Sequence, residues 1–200
     1  MEHYDEDGIT FEFQEILAQV PFIDNGFDVV LPPPTILHLL IEDFPTHFIS
    51  DNVARWTFAG FDAHNSAGNR IGEFYYADFN RNEPPNVRND ENEAFWFYAD
   101  RSVTMRGEVE VREYDEWYDI EYIDIINFNV DLQRGWNVVY RRTTRTTIGN
   151  VITQTTTFTH QRPADVNLSW RFRANDVAFP IDPDTRSATS VERQSLFLRR

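Results

Sequence analysis

The chain has 200 residues and a formal net charge of −15, with 33 acidic residues against 18 basic ones. That balance argues against a nucleic-acid binder, because affinity for a phosphate backbone needs clustered cations. Cysteine is absent, which excludes disulfides and thiolate chemistry, and no apolar run reaches the roughly 18 residues of a membrane-spanning helix, whereas 41% hydrophobic and 15% aromatic residues supply a core.

The charge is unevenly placed. Residues 1–131 carry 28 Asp/Glu and 7 Arg, a net of −21, whereas residues 132–200 carry 5 Asp/Glu and 11 Arg, a net of +6. All the basic residues are Arg, which is simplest read as a compositional bias of the genome. No Gly/Ser-rich or Pro-rich linker lies near residue 131, so the asymmetry points to one fold in which basic strands pair with acidic ones.

In chain order, Met1 to Gly8 is polar and aperiodic and reads as a frayed tail. Ile9 to Phe13 alternates as a strand, Asp24-Asn25-Gly26 is a turn, and Phe27 to Leu31 is a strand stopped by Pro32-Pro33-Pro34. Thr35 to Phe44 is the one helical candidate: Thr35 can cap it, Ile36, Leu39 and Leu40 share a face, and Pro45 ends it. From residue 53 the pattern is β. Val53 to Ala63 and Arg70 to Ala77 flank the turn residues His64 to Asn69, and Asn80 to Glu93 reads as a long polar loop. Ala94 to Tyr98 and Ser102 to Arg112 follow; in the second, Gly107 shares its parity with Val103, Met105, Val109 and Val111 and takes an inward position. Ile123 to Leu132, a turn at Gln133-Arg134-Gly135, a long hairpin about Gly149-Asn150 and a short strand over Leu168 to Phe172 complete the pattern. Residues 174–200 form a second polar tail.

About nine or ten short strands with regular turns and no βαβ alternation predict an all-β fold: an antiparallel β-sandwich, or a barrel-like sheet, in a single domain over 1–200 with one short helix.

Two segments, Phe97-Tyr98-Ala99-Asp100-Arg101-Ser102-Val103-Thr104-Met105-Arg106-Gly107 and Val130-Asp131-Leu132-Gln133-Arg134-Gly135-Trp136-Asn137-Val138-Val139-Tyr140, resemble paired elements of small exported, often lipid-anchored, bacterial envelope proteins of the spirochaete and Bacteroidetes type. The resemblance implies a β-sandwich or barrel-like domain that is periplasmic, anchored at the outer membrane or secreted. It carries no enzymatic role. The chain has neither a lipobox cysteine nor a signal peptide, so this placement requires a trimmed form, and the cytoplasm is the alternative.

The densest polar-aromatic stretch is Glu113 to Tyr122. Its Trp117, Tyr118 and Tyr122 are residue types that stack on sugar rings, and Asp119 accepts from hydroxyls, so these four are candidate ligand-binding residues for a glycan or other small ligand. The plainer reading is a solvated acidic turn packed on a sheet edge. Calcium is a further possibility for so many carboxylates, but no EF-hand spacing is present, the five His show no metal-ligand spacing, and no metal or cofactor is implied. Nucleophile elbows, phosphate loops and zinc-protease motifs are absent. Any of 33 acids can form a glycosidase-like pair by accident, so a hydrolase or lyase ranks third.

In the Gly149-Asn150 hairpin, Ile148 pairs with Val151, which puts Arg142, Thr144, Thr146, Thr153, Thr155 and Thr157 on one face. The other face carries Arg141, Thr143, Arg145, Thr147, Gln154 and Thr156. Both are polar, so the tip is expected to stand clear of the core, while Trp136, Val138 and Tyr140 at its base are expected to enter it. Arg141 and Arg145 are candidate ligand-binding residues of a basic arm that meets an acidic patch, its own or a partner's. The leading functional expectation is a non-enzymatic envelope or secreted interaction protein with a glycan or protein partner. A carbohydrate-binding or lipocalin-like module is the alternative.

Overall fold

A computed structural model describes residues 15–23, 26–40, 44, 46–81 and 89–175. The chain divides into two compact units, Met1–Leu37 and His38–Arg200. In the first, the Glu15 carboxylate accepts hydrogen bonds from the Thr35 N–H and hydroxyl at 2.7 and 2.8 Å, and these hold it below the usual carboxylate range. Ile23 and Gly26 exchange backbone hydrogen bonds of 2.9 and 3.0 Å across the expected turn. Phe27 to Leu31 forms no strand among the described residues. The expected strand at Ile9 to Phe13 and most of both tails lie outside the described residues.

The second unit is a single curled sheet, half a barrel, and the fold is all-β as the sequence predicts. Its strands are β1 (His38–Leu39), β2 (Arg55–Ala59), β3 (Phe61–His64), β4 (Arg70–Ala77), β5 (Asp90–Ala99), β6 (Val103–Asp115), β7 (Ile120–Leu132), β8 (Gly135–Ile148), β9 (Val151–Thr159) and β10 (Ser169–Ala174). The main order is β1-β2-β5-β8-β9-β7-β6, with β4 joined to β3, β5 and β10. Every pairing is antiparallel except β7 with β9. The barrel-like form is thus the one adopted, not two stacked sheets.

The helix expected over 35–44 is corrected in its first half. His38 and Leu39 pair with Trp56 and Arg55 as a strand. Sheet hydrogen bonds outweigh a weak local helical preference at His38 and Leu39, whereas Leu40 is helical and its carbonyl accepts from the Phe44 N–H at 3.1 Å. Residues 41–43 and 45 lie outside the described residues, and a three-residue 3-10 turn, Thr46–Phe48, follows.

β5 is the axis of the sheet, because one of its edges is shared. Glu93 and Ala94 pair with β4, whereas Trp96 to Ala99 pair with β2. β2 and β3 are separated only by Gly60, so the chain crosses from β5 to β4 at that point. Aromatic rings fill the outer face of this fork: Trp96 stacks on Trp170 at 5.2 Å, and Phe61 meets both edge-on at 5.1 Å.

Following the register from strand to strand puts the main core on the inner face. Trp56, Phe97, Ala99, Val103, Met105, Phe128, Val130, Leu132, Val139 and Phe158 line it, and Leu40, Phe44, Phe48, Ile49 and Ala54 close it from the segment before β2. The expected parity at the start of β8 is reversed: Val139 is buried, while Trp136 packs edge-on against Tyr98 on the outer face. Both faces are apolar there, so alternation alone does not choose between them. Gly107 does face inward, opposite Phe128, with the Phe48 ring lying directly on it. A Cβ at Gly107 would collide with that ring, and its φ of 156° is one that side chains disfavour. Gly107→Val should therefore lower stability by about 1–3 kcal/mol, read as a lower urea midpoint.

Asp100 closes the end of β5 onto the start of β2. Its carboxylate accepts from the Arg55 N–H at 2.9 Å and its own N–H donates to the Arg55 carbonyl at 3.0 Å. Burial pushes its pKa up, but the Arg101 hydrogen bond, the Arg55 N–H and both guanidinium charges outweigh that and hold it below the usual aspartate range. The ionised form is thus favoured in the folded state. Its contribution is present above the unfolded aspartate value of about 4 and lost as pH falls through the lowered value. Asp100→Asn should flatten the fall in urea midpoint on acidification below about pH 4.

Candidate functional site

Two turns meet at one end of the sheet. Between β6 and β7, the Asp115 carboxylate accepts from the Trp117 N–H at 3.0 Å and the Tyr118 N–H at 3.3 Å, an Asx turn. Asp119 takes φ 53°, a left-handed conformation that Asp tolerates better than most residues. Its carboxylate accepts a hydrogen bond from the Tyr114 hydroxyl, which raises the phenol pKa. The β8–β9 turn is tied to this one: Asn150 Nδ2 donates to the Asp119 carbonyl at 2.9 Å, and the Glu121 N–H donates to the Asn150 carbonyl at 2.9 Å.

Large apolar side chains project from this braced pair. Trp117 is 95% exposed, Ile148 80%, Tyr114 59% and Tyr118 50%. Tyr122 lies further down, in a cross-strand row with Ile152 and Thr147 on the inner face. The next row toward the core is Arg145, Gln154 and Asp124, and Arg145 makes no ion pair among the described residues. Of the six candidate residues, Trp117, Tyr118 and Asp119 therefore share the tip, Tyr122 and Arg145 share the polar end of the inner face, and Arg141 stands apart.

Arg141 belongs to a buried charge cluster that the polar appearance of residues 80–93 conceals. β5 begins at Asp90, not at Ala94, so Glu91, Glu93, Phe95 and Phe97 share the inner face. Glu93 is 2% exposed. It accepts from Arg141 at 2.7 Å, directly across the β5–β8 ladder, and also from Arg81. Arg81 also pairs with Glu73 at 2.7 Å and lies over the Tyr75 ring at 4.7 Å. Burial would lower the Arg81 pKa, but Glu93 and Glu73 outweigh it and leave the guanidinium more firmly charged. Arg142, on the opposite face, pairs with Asp90 at 2.6 Å and Asp165 at 3.4 Å. The basic arm meets acids of its own chain. Running the alternation of Phe95 and Phe97 backward through Glu93 is the signal that the sequence offers for this cluster.

In the first unit, Val20, Pro21, Ile23, Gly26, Phe27 and Asp28 line an open hollow of about 380 Å³ that includes none of the candidate residues. Among the described residues no group of three His, Asp or Glu is placed to hold a metal ion, and no helix is long and apolar enough to cross a membrane. Compared with known proteins, the chain matches no family model, no curated protein and no solved structure.

Removing Glu93 takes away the one ion-pair partner of Arg141 among the described residues and leaves the largely buried Arg81 with Glu73 alone. Glu93→Ala should reduce unfolding free energy by about 3–5 kcal/mol, measured by urea titration, while joint replacement of Glu93, Arg81 and Arg141 by Leu should recover much of that loss.

Proposed function

We propose that this chain is a non-enzymatic binding module, exported to the cell envelope or secreted, that engages its partner through the braced tips of the β6–β7 and β8–β9 hairpins. The observation that carries this reading is Trp117, fully presented to solvent on a turn whose backbone is fixed by Asp115, Asp119 and Asn150. A large aromatic ring held on a rigid turn loses little conformational freedom on contact, which is the usual property of a binding anchor. Nearby carboxylates are already engaged: Asp115 shapes the turn, Asp119 accepts from Tyr114, and Glu110 and Glu121 pair with Arg112. Such groups brace a surface more readily than they shuttle protons. The envelope placement is supported by the likeness of the Phe97–Gly107 and Val130–Tyr140 segments to exported proteins.

Among ligand classes, a glycan is favoured by the bare Trp117 ring beside Tyr118 and the exposed Glu116, which combine a stacking plane with a hydroxyl acceptor. Trp117→Ala should abolish retention on a polysaccharide array while leaving the urea midpoint within about 0.5 kcal/mol of the parent, since the ring contributes almost nothing to the core. Equal retention of the parent and Trp117→Ala would remove the tip from the account. Retention of neither on any polysaccharide would remove the glycan.

A further inference from the structure

β6 is the last strand of the sheet, with β7 on one side of it. Its other edge is covered only at the start. Ile49 bridges Met105, the Thr104 carbonyl accepts from the Ser50 N–H at 3.0 Å, and the Thr104 N–H donates to Ser50 Oγ at 2.9 Å. Thr104 therefore directs both backbone groups away from β7. By the period of a strand, Arg106, Glu108, Glu110, Arg112 and Tyr114 do the same; Arg106 flanks the Ile49–Met105 bridge and so lies in the covered stretch, while among the described residues nothing on that side bonds to the other four. At Asp115 the chain enters the braced turn. The open edge is thus a window of four outward-facing residues, closed at one end by Ile49 and Ser50 and at the other by the turn, and its midpoint is Val111.

We propose that this window docks a second copy of the chain, whose own β6 adds in antiparallel fashion about a two-fold axis through Val111. An open edge accepts many strands in principle, but the side chains here select one occupant and one register. With the axis at Val111, Glu110 lies opposite Arg112 of the second copy, Glu108 opposite its Tyr114, and Val109 opposite its Glu113. No like charges face each other. Shifting the axis to Glu110 sets that carboxylate against itself. Shifting it to Val109 sets Glu108 against Glu110 and Arg106 against Arg112. The axis at Val111 is also the one that engages all four outward residues on both copies, which is the self-complementarity a two-fold contact requires.

The absence of cysteine makes the register directly testable. Residues on the axis form a non-hydrogen-bonded pair about 4.5 Å apart at Cα, within disulfide reach. Val111→Cys in the full chain, mildly oxidised, should run as a covalent dimer on a non-reducing gel, whereas Val109→Cys and Trp117→Cys should remain mostly monomeric. In sedimentation equilibrium the unmodified chain should be dimeric. Glu110→Arg and Arg112→Glu should each weaken self-association by at least about tenfold, and an equimolar mixture of the two should restore it, because each then supplies the charge the other lacks. A monomeric parent chain, stronger cross-linking of Val109→Cys than of Val111→Cys, or a mixture that stays monomeric would overturn the proposal.

Discussion

One carboxylate shared by two guanidinium groups fixes the register on which this sheet depends. Glu93 is almost wholly buried at the point where the edge of β5 changes partner from β4 to β2. Arg141 reaches it from β8, and Arg81 reaches it from the segment after β4. Desolvating these charges is expensive, and an apolar cluster of similar volume could be as stable. What the ionic arrangement supplies is specificity. If β5 slipped by one residue against β8, Glu93 would turn to the outer face, and the two guanidinium groups would be left largely buried without it. Glu73, paired with Arg81 and within ion-pair reach of Arg70 and Arg173, adds a second negative charge.

The same pairing explains the division of charge along the chain. An acidic front and a basic back can signal two partners. In this fold the acidic start of β5 and the basic middle of β8 are neighbours: Glu93 meets Arg141 on the inner face and Asp90 meets Arg142 on the outer. Most of the apparent polarity of the hairpin is therefore neutralised within the sheet. Arg145, two inner-face rows nearer the tip than Arg141, lies beyond the last β5–β8 pair, Asp90 with Thr144, and makes no ion pair among the described residues. The inner face thus grades from a capped apolar end to a polar end, and the exposed aromatic side chains stand past the polar end, where their turns carry no load from the core.

How much of this is legible in the sequence follows from the range of the forces involved. The hairpin about Gly149-Asn150 and the inward position of Gly107 are set by local periodicity and turn chemistry, and both appear in the register as expected. The aromatic tip is visible as composition. By contrast, Thr35 to Phe44 has the spacing of a helix but begins as a strand, because β2 offers His38 and Leu39 a partner from further along the chain. Asn89 to Glu93 looks like loop because its residues are polar, yet two of them are among the most buried in the sheet. Burial of charge depends on counter-charges that arrive from distant strands: the alternation of Phe97 and Phe95, run back through Glu93, marks the face but not the partners. Trp136, Val138 and Tyr140 take the face opposite to the one expected for a related reason: an outer face lined by Tyr98 and Trp136 is as apolar as the inner one.

Topology rather than composition leaves β6 at the edge. The hairpin of β8 and β9 folds back so that β9 lies parallel to β7, the one parallel pair in the sheet. That insertion occupies the edge of β7 that faces away from β6, and β5 occupies the edge of β8 that faces away from β9. Among the described residues the β6–β7 hairpin therefore receives a neighbouring strand on one side only, and its thirteen-residue outer strand is shielded for just its first few residues. A long bare edge would ordinarily promote indiscriminate pairing. Here each outward-facing position is charged or carries the Tyr114 hydroxyl, so most registers set like charges together and the edge discriminates among strands.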